Sequence, residues 1–204
     1  MTALDLSADI GLLAVFLGTA NICLGQLIAV RYSPWRLWPH RRINIFVVHN
    51  WTAYLLMASV LIHPLILLFS TNSRWRLLDV ALPVQSPVQP IENTVGAVSL
   101  YLIMLVLLTS YFRLRLGRPR WKLFHYLTYV AAVCFFFHGI LADPNLKGSP
   151  VDPLDGEKVF VESCLFVVLL TTVWAWRYRL LKSRKERALR IGRYRAFETT
   201  NATD

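Results

Sequence analysis

No two cysteines of this 204-residue chain are spaced C-x-x-C, and C-x-x-C-H is absent. Those absences exclude an iron–sulfur or zinc site of that kind, and haem attached covalently in the c-type manner. The three cysteines, Cys23, Cys134 and Cys164, each fall inside an apolar segment and read as small buried hydrophobes. G-x-G-x-x-G is also missing, so nothing suggests a dinucleotide fold, and no bound FAD or NAD(P) is expected on this chain. The N-terminus, MTALDLSADI, contains no Lys or Arg. A cleavable signal peptide needs a basic n-region, so the first apolar segment is expected to be retained. The net charge is +10, yet no basic patch is interleaved with stacking aromatics outside the apolar segments. Nucleic acid is therefore not an expected partner.

What the chain has is apolar length. Residues are 55% hydrophobic and mean hydropathy is +0.45. Five segments, about 10–30, 43–69, 95–112, 123–141 and 159–176, are long enough to span a bilayer as helices. Pro83, Pro87 and Pro90 forbid a continuous helix between the second and third. The expected fold is all-α: an integral membrane bundle of five transmembrane helices over 1–176, then a basic cytoplasmic tail, 177–204. Membrane lipid is its first partner. The connections after the first and third segments, with the tail, hold 18 of the 22 Lys and Arg. Only Arg74, Arg76, Lys147 and Lys158 lie on the other side, with nine of the 12 acidic residues. Positive charge marks the cytoplasmic face, so the N-terminus is outside and the C-terminus inside. The setting is a bacterial inner (plasma) membrane or its equivalent. Trp35, Trp38, Trp75, Trp174 and Trp176 fit an interfacial aromatic belt.

Within that frame the histidines stand out. The second segment carries His49 and His63, fourteen residues apart, and the fourth carries His125 and His138, thirteen apart. Ionisable groups at membrane depth are costly, which makes each a functional candidate. Fourteen residues separate two imidazoles by about 21 Å along a helix and return them to within about 40° of one face. Segments two and four run the same way through the membrane. Depth therefore pairs His49 with His125 near the cytoplasmic end and His63 with His138 near the outer end. Such pairs would clamp two haems stacked across the bilayer, with those four histidines as iron ligands. Filling both axial positions with imidazole leaves electron transfer as the haems' role. On an ideal helix, thirteen steps leave His138 about 140° from His125. Either that helix is distorted or the two irons lie at different azimuths.

The stretches HNWTAYLLMASVLIH, GAVSLYLIMLVLLTSY and WKLFHYLTYVAAVCFFFH, spanning roughly residues 41–141, resemble the ferric reductase-like transmembrane domain family. That family includes the haem-bearing membrane parts of ferric reductases and NADPH oxidases, and the membrane haem subunit of bacterial methionine sulfoxide reductase systems. The resemblance implies two non-covalent haem b groups, each bis-histidine, and one-electron transfer across the membrane. Two departures accompany it. Family members usually have six spans with histidines on the third and fifth, against five here with histidines on the second and fourth. The reductases and oxidases also continue into a flavin and nicotinamide domain, whereas here the sequence stops within thirty residues of the fifth segment and no such domain is expected.

The chain thus reads as the haem-binding membrane subunit of an oxidoreductase, with no catalytic residue of its own. A separate cytoplasmic flavin reductase, flavoprotein or quinol would donate electrons. A ferric chelate, oxygen or a periplasmic reductase would accept them outside. Two rivals are a quinol-linked cytochrome b subunit of a respiratory complex, and a haem-free structural or transport subunit whose histidines relay protons. Haem propionates need cationic partners. Arg41, Arg42, Arg120 and Lys122 are candidates at the inner end, where plain positive-inside anchoring is the simpler role. Arg74 and Arg76 are candidates at the outer end, where cations are scarce. His40, beside Pro39 and Arg41, reads as an interfacial residue. Pro64 directly follows His63 and either kinks the helix to aim that histidine or is tolerated near its end. The basic run 177–195 suits anionic lipid or an acidic flavoprotein.

Overall fold

The computed structural model describes residues 2–32, 44–70, 75–142 and 154–201, with side chains through Ile191. The first helix, α1 (Ala3–Val30), starts seven residues before the uninterrupted apolar run. Thr2 caps it reciprocally: its hydroxyl accepts from Asp5 N at 3.2 Å, and its own N–H donates to the Asp5 carboxylate at 2.7 Å. Helix α2 (Ile45–Ile66) opens on the side chain of Asn44 and runs through Pro64 into a 3₁₀ turn, Leu67–Phe69. A short α3 (Leu77–Ala81) and a 3₁₀ turn, Pro83–Gln85, follow, as the prolines require. Helix α4 (Pro90–Tyr111) places Pro90 at its first position, where the missing N–H costs nothing.

The fourth apolar segment is interrupted. It divides into α6 (Arg118–His125) and α7 (Leu127–Leu141), after the one-turn α5 (Arg113–Leu116). At the junction Tyr129 N bonds Tyr126 O, three residues back, while the Thr128 hydroxyl takes the His125 carbonyl at 2.7 Å. The distortion between the two histidines of this segment is therefore a break in the helical ladder at Tyr126. Helix α8 (Gly156–Asn201) continues without interruption from the last apolar segment into the basic run.

Five helical stretches are long and apolar enough to cross a membrane: Ala3–Val30, Ile45–Phe69, Pro90–Tyr111, Arg118–Leu141 and Gly156–Ile191. The protein is an integral, multi-pass, all-α membrane bundle. Helix α1 is its centre: 33% of its most apolar window is buried, against 11–22% for the other four. One buried cluster packs Ala14 of α1 against Leu56, Met57 and Val60 of α2. The other packs Val15 against Phe136 of α7 and Val161, Cys164 and Val168 of α8. Adjacent residues of α1 thus face opposite halves of the bundle. Lipid supplies no hydrophobic drive between helices, so small residues and polar links carry much of the association. Gln26 donates to the Thr172 hydroxyl at 2.5 Å, joining α1 to α8, and Ser99 donates to Ala131 O at 3.1 Å, joining α4 to α7.

The orientation from charge carries its own test. A reporter that fluoresces only in the cytoplasm, fused after Asp204, should give signal, and one active only outside should be silent. The reverse pattern would exchange the inner and outer ends of the bundle.

Candidate functional site

The four membrane histidines occupy two levels. At the outer level the rings of His63 on α2 and His138 on α7 have centroids 6.3 Å apart and planes inclined at 69°. At the inner level, His49 lies on α2 and His125 is the last residue of α6. Between the levels lie Leu56, Met57 and Val60, with Phe135 packed against them.

Three of the four imidazoles are oriented in one way. His63 Nδ1 lies 2.7 Å from Ser7 O, His49 Nδ1 3.1 Å from Asn21 O, and His138 Nδ1 2.8 Å from Glu92 O. A carbonyl can only accept, so each contact assigns the ring proton to Nδ1 and leaves the Nε2 lone pair free for a metal. Every orienting group is a backbone oxygen of a neighbouring antiparallel helix.

Helix α1 serves α2 twice, with a spacing that matches the histidines. Ser7 and Asn21 are fourteen residues apart, as are His49 and His63. Each acts at two points. The Ser7 hydroxyl donates to His63 O at 2.9 Å, and the Asn21 amide donates to His49 O at 2.6 Å and to the Thr52 hydroxyl at 2.8 Å. Leu67 N bonds Leu65 O and Pro64 O as the helix tightens, so the His63 carbonyl is left for Ser7.

Four residues beyond each orienting carbonyl stands a glycine that makes room for the ring. A Cβ at Gly11 would lie 3.2 Å from His63 Cε1, one at Gly25 3.4 Å from His49 Cε1, and one at Gly96 2.9 Å from His138 Cε1 and Nδ1. On α1 these belong to a seven-residue series, Gly11, Gly18 and Gly25, whose middle member lies against Phe135. Sequence reasoning passed over Ser7, Asn21 and the glycines. The signal that marks them is this series, with a polar residue four positions before its first and last members.

His125 is held differently. Its ring stacks on Trp121 at 5.1 Å and 30°, and Trp121 Nε1 donates to the Ser110 hydroxyl at 3.3 Å. Its Nδ1 is buried and has no partner among the described residues. The register that sets Glu92 opposite His138 and Ser99 opposite Ala131 would, carried past Tyr126, bring Leu105 to the level of His125. The Leu105 carbonyl, however, accepts from the Thr109 hydroxyl at 2.8 Å, and Thr109 stands where the other sites have glycine.

Of the expected cationic partners, Arg41, Arg42 and Arg74 lie outside the described residues, as does His40. Arg120 and Lys122 are exposed, and Lys122 Nζ lies 5.8 Å from the centre of the Tyr126 ring. Arg76 is exposed and caps α3 through its backbone N–H, which donates to Asp79 at 2.9 Å. The cavity around His63 and His138 is lined instead by Trp75 and by Lys158 of α8. Among the described residues no group of three or more His, Cys, Asp or Glu gathers around one point, so a bare ion caged by side chains alone is not indicated. Two opposed imidazoles suit a metal whose other ligands come with it. Metal–imidazole bonds of about 2 Å, plus roughly 1.1 Å from each nitrogen to its ring centre, put the centres about 6 Å apart. The outer rings are at that separation.

Among known protein families, the model of the ferric reductase like transmembrane component matches residues 10–136. That range takes in His49, His63 and His125 and ends two residues before His138. No curated protein and no solved structure matches the chain.

Proposed function

Since this chain belongs to the ferric reductase-like transmembrane family, an oxidoreductase-type group of membrane components, we propose that it is a dihaem cytochrome b carrying electrons across the membrane. The observation that carries this reading is the outer pair: two imidazoles from different helices, 6.3 Å apart, each with Nδ1 committed to a backbone carbonyl. His63 and His138 would hold one haem, and His49 and His125 the other. When bound, the haem irons supply reversible one-electron chemistry. Everything else is the work of the protein. Backbone carbonyls of Ser7, Asn21 and Glu92 hold the protons on Nδ1 and fix the ring planes before any metal arrives. Gly11, Gly25 and Gly96 keep space beside the rings. The apolar layer of Leu56, Met57 and Val60 keeps water from the middle of the bundle, with the Phe135 ring packed against it.

Electrons would enter at the basic end from a cytoplasmic flavin, flavoprotein or quinol and leave at the opposite end for an outer acceptor. The run of α8 from Arg177 to Arg190 supports a donor of acidic surface, because it carries its cations on a continuous and largely exposed helix.

The direct measurement is haem content. Protein purified from a haem-replete host should give about two haems per chain by pyridine haemochrome, all extractable by acid acetone, since no thioether attachment is possible. A haem-free preparation would sink the proposal and favour a proton-relaying role for the histidines.

A further inference from the structure

The four membrane imidazoles are not held alike. His49, His63 and His138 each set Nδ1 against a backbone carbonyl oxygen of a neighbouring helix. His125 Nδ1 is buried, yet it meets no hydrogen-bond partner among the described residues. A partner of that kind fixes the tautomer and plane of a metal-binding imidazole and raises its basicity, and losing one weakens metal binding by about 10–100-fold. The same residue is the one carried on interrupted backbone. It ends α6, and Tyr126 separates it from the start of α7. The aromatic contact of its ring is Trp121, tilted by 30° at a centroid distance of 5.1 Å. Trp121 gives its own N–H to the Ser110 hydroxyl, so it restrains one face of the imidazole without supplying the missing partner. His49, the other histidine of the inner level, has both the Asn21 carbonyl and the clearance at Gly25. Missing support and a break in the helix thus coincide at one histidine of the four.

We infer that His125 is the exchangeable axial ligand of the inner haem, and that the position it leaves is a binding site for a small exogenous ligand. Carbon monoxide represents the class for ferrous iron, and cyanide for ferric iron. The step is a substitution: the bond from iron to His125 Nε2 breaks, the bond from iron to the incoming carbon forms, and no electron changes hands. His49 keeps its place throughout, because its ring is held at the Asn21 carbonyl. The inference rests on the dihaem reading and extends it, since a haem between two fixed imidazoles serves electron transfer alone. The outer pair, with both Nδ1 atoms engaged, is the internal control.

The test uses the full-length protein in detergent, with haem content measured first. Dithionite-reduced protein titrated with carbon monoxide should show the Soret change of an adduct at one haem of the two. The other haem should need about 10–100-fold more carbon monoxide, or form no adduct. Two double variants locate the site. His63→Ala with His138→Ala, which should retain the inner haem, should keep the whole carbon monoxide signal. His49→Ala with His125→Ala should retain the outer haem and lose that signal. Cyanide titration of the oxidised parent, followed by EPR, needs no variant and should convert one low-spin signal while leaving the other. Two haems with no adduct, or adducts at both with equal affinity, would overturn the exchangeable ligand while leaving the dihaem reading standing. So would an adduct confined to the protein that holds the outer haem only. A parent protein without haem would overturn both.

Discussion

His63→Ala and His138→Ala should each abolish the same low-spin haem signal and leave the other intact, taking the haem content from about two per chain to about one. The two rings lie with centroids 6.3 Å apart on α2 and α7, so either truncation would leave a haem iron held between them one strong ligand short and open a hole beside the macrocycle. His49→Ala and His125→Ala should do the converse at the basic end. Within a pair, the double variant should look no worse than its singles, because the second ligand has no function once the first is gone. Such non-additivity marks residues acting as a unit. Visible and EPR spectra of the four singles and two doubles decide the matter. Loss of one common component in His49→Ala and His138→Ala would break the pairing.

The second large effect comes from residues with no side chain. Gly96→Ala puts a methyl 2.9 Å from two atoms of the His138 ring, closer than a side-chain carbon tolerates. Either the ring leaves the Glu92 carbonyl or the backbones of α4 and α7 separate, and overpacking of that kind costs about 1–3 kcal/mol. Against it stands the gain of about 1 kcal/mol when alanine replaces glycine inside a helix. At Gly96 the clash wins, and the outer low-spin signal should be lost or become high-spin. At Gly11 the methyl would stand 3.2 Å from His63, so a partial disturbance of the same outer signal is expected. At Gly25 the contact is an ordinary 3.4 Å, so the helical preference prevails and Gly25→Ala should retain both haems with a slightly higher melting temperature. The order Gly96, Gly11, Gly25 is the content of the prediction. A Gly25→Ala protein more damaged than Gly96→Ala would mean that ring clearance is not what these glycines provide.

Much of the architecture was legible because membrane helices are written in local composition. Uninterrupted apolar length specifies a span, and prolines 83, 87 and 90 specify where none can run. The histidines were legible as well, since an ionisable group in an apolar stretch stands out by residue type alone. The break between His125 and His138 was half legible: the angular mismatch required a distortion or a difference of azimuth, and the structure places a break at Tyr126.

The sequence by itself determined the five spans and the family to which the chain belongs, and it supplied an expected orientation from the flanking charges and expected depths for four imidazoles. Tertiary structure alone decided how those imidazoles are held. Their orienting acceptors are backbone oxygens of Ser7, Asn21 and Glu92, and every residue carries such an oxygen, so residue identity does not mark it. Which carbonyl meets which ring follows from the antiparallel registers of α1 on α2 and α4 on α7, long-range quantities that no local periodicity contains. The unpartnered Nδ1 of His125 belongs to the same class. In sequence that residue is one more membrane histidine, and only the packing of the helices leaves its ring without an acceptor.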